Sequence, residues 1–165
     1  RDVFDSLENR GLNAAPFGHR TWESLTLEAG TPLFESELAD EVPNNLGLRN
    51  AVDFEKGCFV GQEVVSRVEN RGEATKQLVG LTTSAVPEAG ATVFAGDETA
   101  GEVTRACESP MLDTPIALAL LDRDVATDIE DAELTVRVDG EELAAEGQRL
   151  PFVEGSDRSA RLPSY

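Results

Sequence analysis

The segment KGCFVGQEVVSR, residues 56–67, gathers residue types that can do chemistry. Cys58 stands between Gly57 and Gly61, with Lys56 just before it and a helix-like run just after. A thiol immediately upstream of a helix start lies near the positive end of the helix dipole. Lys56 and the free backbone N–H groups around Gly57 and Gly61 add to that potential. Such surroundings lower a thiol pKa and make the sulfur reactive. The glycines also let a ligand approach the backbone closely. Gln62 and Glu63 fall in the first turn, where they can cap the helix or contact a polar ligand. The plainer alternative is a small buried cysteine in a tight glycine turn, and the residues alone leave both open.

Other reactive residues are sparse. His19 is the one histidine and heads a helical pattern, which suits a cap or a surface position. Cys107 sits in a strand-like run without a lysine or a helix start nearby, which suits a structural role. Two cysteines and one histidine far apart do not make a metal-site spacing, so no metal ligands are assigned. Trp22 is expected in the core, and Phe152, beside Pro151, is expected to plug a barrel.

The elements that must position these residues read as follows. Residues 2–10 put Val3, Phe4 and Leu7 on one helical stripe, which Gly11 stops. Residues 18–30 give a second helix with Trp22, Leu25 and Ala29 on one face and Gly30 at its end. Residues 31–45 carry two prolines and read as an irregular connection. In 46–54, Leu46, Leu48, Val52 and Phe54 alternate imperfectly, which predicts a strand. GQEVVSRVENRG predicts a helix with Val64, Val65 and Val68 inward, a Glu63–Arg67 pair and Gly72 as terminator. Beyond Gly72 come six short apolar runs: QLVGLTTS, ATVFAG, GEVTRACES, PIALALLD, LTVRVDG and EELAAEG. Turn residues separate them, and Asp139-Gly140 is a hairpin signal. That texture predicts a small antiparallel barrel or sandwich.

Composition sets the outer limits. The 165 residues make one full domain or two small ones. The formal net charge is −18, from 32 acidic and 14 basic residues, and the only lysines are Lys56 and Lys76. Phosphates would be repelled, which argues against a general nucleic-acid or membrane-surface binder. The acids are spread along the chain rather than gathered in a tail. Concentrated salt screens such charge to a few ångströms, so the lysine-poor acidity points to a halophile. Apolar residues, 40% of the chain, form periodic blocks, which excludes disorder. No apolar run has transmembrane length, there is no secretory signal, and two cysteines without CxxC spacing fit a reducing cytoplasm. The chain opens at Arg1 inside a helical pattern, so residues ahead of it are expected to carry part of the function.

AVDFEKGCFVGQEVVSRVENRG, residues 51–72, resembles the signature of the YgfZ family of folate-binding proteins. That family is a branch of the superfamily that contains the T-protein (aminomethyltransferase) of the glycine cleavage system. The family pattern of lysine, glycine, cysteine, aromatic, any residue, glycine, glutamine and glutamate matches Lys56, Gly57, Cys58, Phe59, Val60, Gly61, Gln62 and Glu63. Arg67 matches the arginine that commonly follows. HRTWESLTLEAGTPLFESEL, residues 19–38, is similar to a superfamily segment with an arginine-bearing helix, a Leu-Glu-Ala-Gly end and a following proline. Pro43 and Asn45 match a family Pro and Asn, while IALALLD and EELAAEGQRLPF resemble the C-terminal barrel domain of T-proteins. One departure is Thr26, where T-proteins usually carry an arginine. A larger one is the absent N-terminal portion, which in T-proteins holds the catalytic aspartate and much of the folate pocket; no residue here takes that role.

The resemblance implies an α+β fold. Residues 1–72 would be the C-terminal part of a folate-binding α/β domain. Residues 73–155 would be a small antiparallel six-stranded β-barrel of the aminomethyltransferase type, and 156–165 a polar tail. It implies tetrahydrofolate as cofactor, contacted by Lys56, Gly57, Gly61, Gln62, Glu63, Arg67 and Glu28, the last matching a family carboxylate that could equally be a solvated helix end. Two functions compete. In one, the protein supports iron–sulfur cluster assembly or repair through Cys58 as the key thiol, with iron–sulfur proteins as partners. In the other, it is an aminomethyltransferase that moves a one-carbon unit to tetrahydrofolate, and Cys58 is incidental.

Overall fold

The computed structural model describes residues 2–11, 14–48, 51–53, 55–71 and 74–153. The first part is helical: α1 (Asp2–Arg10), α2 (His19–Glu28), a π-helical turn (Phe34–Leu38) and α3 (Gln62–Arg71). Six strands follow: β1 (Lys76–Thr83), β2 (Thr92–Ala95), β3 (Glu98–Ser109), β4 (Thr114–Asp122), β5 (Leu134–Val138) and β6 (Glu141–Gln148). A short helix, α4 (Arg123–Thr127), separates β4 from β5. All strand pairs are antiparallel, and the order β1-β4-β3-β2-β5-β6 closes through β6 on β1. Closure leaves no free sheet edge. Each expected apolar run became one strand. Asp139 and Gly140 both take positive φ, 51° and 86°, as a two-residue hairpin turn requires.

Two apolar clusters share the barrel wall. Val79, Leu81, Val93, Val103, Ala117, Ala119, Leu121, Leu134 and Val136 fill the interior. Leu78, Ile116, Leu118 and Leu120 point outward from β1 and β4, where Leu27, Leu46 and Phe152 cover them. β1 and β4 are therefore buried on both faces, which is why IALALL is an unbroken apolar run rather than an alternating one.

Strand β3 carries one residue too many for its partner. Val103 pairs with Ala119 and Arg105 with Leu118, so Thr104 is a bulge. Before it, Val103 faces the interior. Without the extra residue Arg105 would face inward too. The bulge flips the parity: Ala106 packs against the interior cluster and Cys107 against the outer one. Arg105, Cys107 and Ser109 thus share the outer face, toward α2.

Helix α2 docks on that face. It ends in a Schellman motif, with Thr31 N–H donating to Thr26 O and Gly30 N–H to Leu27 O, and Gly30 at φ +62°. The chain after β6 straps it down. Phe152 N–H and Val153 N–H both donate to Glu28 O, and the Phe152 ring fills the slot that Gly80 leaves on β1.

Several expectations need correction. Trp22 and Leu25 are about half exposed, because α2 buries Ser24, Leu27 and Glu28 against the barrel instead. Leu46–Leu48 are not in a strand. Leu46 N–H and Leu48 N–H both donate to Pro43 O, so successive turns take the donors a sheet would need. Phe54, Gly72 and the expected tail at 156–165 lie outside the described residues. Val65 is buried on α3, but Val64 is exposed. Phe152 packs on the outer wall and does not plug the barrel, whose interior its own side chains already fill. Among the described residues no helix is long and apolar enough to cross a membrane.

A Cβ at Gly80 would stand 2.7 Å from the Phe152 ring. Gly80→Ala is expected to displace that ring and cost about 1–3 kcal/mol. Urea denaturation checks this, together with a Phe152→Ala background in which the added methyl should cost far less.

Candidate functional site

Two polar constellations emerge, one buried and one exposed. The buried one lies where β3 meets α2 and the π-turn. Arg105 reaches outward from the bulge. Its Nε donates to Glu37 Oε1 at 2.8 Å, Nη1 to the Thr26 hydroxyl at 3.1 Å and Nη2 to Thr31 O at 2.8 Å. Glu37 is 2% exposed, and its Oε2 accepts from Leu33 N–H at 2.7 Å, closing the π-turn on itself. The ion pair is therefore buried and its polar atoms are supplied with partners, the condition under which burial of charge is tolerated. A guanidinium does stand beside Thr26, but it arrives from the barrel, and Glu37 neutralises it.

Four residues along β3 the pattern repeats. Glu28 is 7% exposed, so it is not a solvated helix end. Its Oε1 accepts from the Ser109 hydroxyl at 2.6 Å and from Met111 N–H at 3.1 Å. Cys107 lies between the two clasps. Burial pushes its thiol pKa up, and the carboxylates of Glu28 and Glu23 push the same way, against the Arg105 charge. Near neutral pH this favours the protonated thiol, which suits a structural role.

The exposed constellation is the 56–67 turn. Lys56, Gly57, Cys58, Gly61, Gln62, Glu63 and Arg67 are all exposed. Lys56 Nζ sits 5.3 Å from the Phe59 ring centroid, a cation–π contact. Phe59 N–H donates to Gln62 Oε1 at 3.1 Å, so Gln62 closes the turn into α3. Gly61 adopts φ +88°, which favours glycine. The expected Glu63–Arg67 pair forms at 2.8 Å, but with both side chains more than two-thirds exposed it contributes little stability. Cys58 is solvent-accessible and four residues ahead of α3, not enclosed in an apolar turn. Among the described residues, no hydrogen bond or ion pair joins Glu28 to this turn. Nor does any group of three His, Cys, Asp or Glu gather as a metal would need.

Sequence reasoning missed Arg105, Glu37 and Ser109. The available signal was the lost alternation in GEVTRACES, where Val103 and Ala106 share a face only if one residue bulges.

Three outcomes follow. Arg105→Met strands the buried Glu37 charge and should cost about 3–5 kcal/mol, while Arg105→Met with Glu37→Leu should recover most of it; chemical denaturation of the pair tests the coupling. Iodoacetamide near pH 8 should label Cys58 well before Cys107, as peptide mass spectrometry would read. A thiol whose pKa is raised by folding stabilises fully below its ordinary value and loses that contribution as pH rises through the raised one. Cys107→Ala should therefore lessen the fall in stability above roughly pH 8.5.

Residues 76–154 match the family described as the glycine cleavage T-protein C-terminal barrel domain. An aminomethyltransferase of Cutibacterium acnes is 38% identical over 151 residues, covering 88% of this chain and 39% of that protein. One of Symbiobacterium thermophilum is 34% identical over 160 residues, covering 94% of this chain and 41% of the relative. The crystal structure of the glycine cleavage system aminomethyltransferase T from Bartonella henselae superposes with a TM-score of 0.69 at 30% identity, over 80% of this chain and 38% of that one. The chain thus spans about two fifths of the length of the relatives it matches. Residues 76–154 are thus similar to the T-protein C-terminal barrel domain, within a chain similar to aminomethyltransferases along most of its length.

Proposed function

We propose that this chain is the C-terminal part of a tetrahydrofolate-binding aminomethyltransferase of the T-protein type. Residues 1–72 would complete a folate-binding domain and 73–155 form the barrel that buttresses it. One observation carries the reading: the similarity to aminomethyltransferases runs through both the helical segment and the barrel, over 160 residues in one relative. The comparisons favour this reading over support of iron–sulfur cluster assembly, the function first implied by the KGCF–GQE segment.

The residues of the exposed turn suit folate. Glu63 offers a carboxylate to the N–H edge of a pterin, Gln62 an amide, and Lys56 and Arg67 cations for the carboxylates of the glutamyl tail. Gly57 and Gly61 leave backbone open to a flat ligand; a Cβ at either would meet nothing within 4 Å. Tetrahydrofolate accepts the one-carbon unit. The protein's part is to hold donor and acceptor together, and proximity supplies much of the rate. Cys58 is then a bystander.

Calorimetric titration of the full-length protein with tetrahydrofolate should show saturable binding. Cys58→Ser should change that affinity by less than about twofold, as for an exposed surface substitution. Absence of saturable heat overturns the proposal. Intact folate binding in Cys58→Ser, joined to lost support of an iron–sulfur enzyme, would revive the other reading.

A further inference from the structure

We draw no further inference here: the strongest candidate, the exposed apolar surface formed by Val3, Phe4 and Leu7 on helix α1 and by Leu25 and the stacked Phe17 and Trp22 at helix α2, carries none, because nothing in the structure shows what covers it.

Discussion

At Thr104 strand β3 holds one residue more than its neighbour, and the rest of the interface follows from that residue. In a strand, side chains alternate between faces, so one extra residue exchanges the faces of everything after it. Upstream of Thr104, β3 contributes Val103 to the interior. Downstream, the same parity would have driven Arg105 into an apolar barrel with no partner for its charge. The bulge sends Arg105, Cys107 and Ser109 outward instead, where α2 and the π-turn supply Thr26, Glu28 and Glu37. Thr104 also turns its hydroxyl to Leu118 O at 3.2 Å, bridging to the strand it has slipped against.

The junction this creates is mixed. Leu27, Leu46, Phe152 and the outward leucines of β1 and β4 supply apolar contact. Apolar contact alone is non-directional and would tolerate α2 at several registers. The two clasps remove that freedom. Arg105 holds Thr26 and Thr31 at the end of the helix and Glu37 just past it, while Ser109 and Met111 hold Glu28. Because each clasp is buried, a helix shifted by one turn would leave a charge without a partner. The hydrogen bonds from the 152–153 strap to Glu28 O then fix the same helix end from a third side.

The barrel was legible because its rules are local. Short apolar runs, turn residues between them and Asp139-Gly140 at a hairpin are read within a window of a few residues. The Glu63–Arg67 pair, four residues apart on one helix, was legible for the same reason. Arg105 and Glu37 are 68 positions apart, and Glu28 and Ser109 are 81. No pattern within either segment names its partner. Trp22 failed for a related reason: α2 carries apolar residues on more than one side, and only the docked barrel decides that Leu27 is covered and Trp22 is not. The strand expected at Leu46 and Leu48 failed because its apolar spacing, though strand-like, follows Pro43, whose carbonyl captures both of their N–H groups.

The contrast between the two polar constellations bears on how function divides between them. The 56–67 turn is open to solvent, and its ionic pair is screened, so it holds its shape through local devices: Gly61, the Gln62 cap and the Lys56–Phe59 contact. The α2–β3 junction is the reverse. Its charged groups are withdrawn from water, Arg105 and Glu37 in an ion pair and Glu28 through hydrogen bonds from Ser109 and Met111. What it can do is hold neighbours still. The few cations follow the same contrast. On a chain of net charge −18, Arg105 is withdrawn into its clasp, whereas Lys56 and Arg67 stay at the surface, where their charge is accessible.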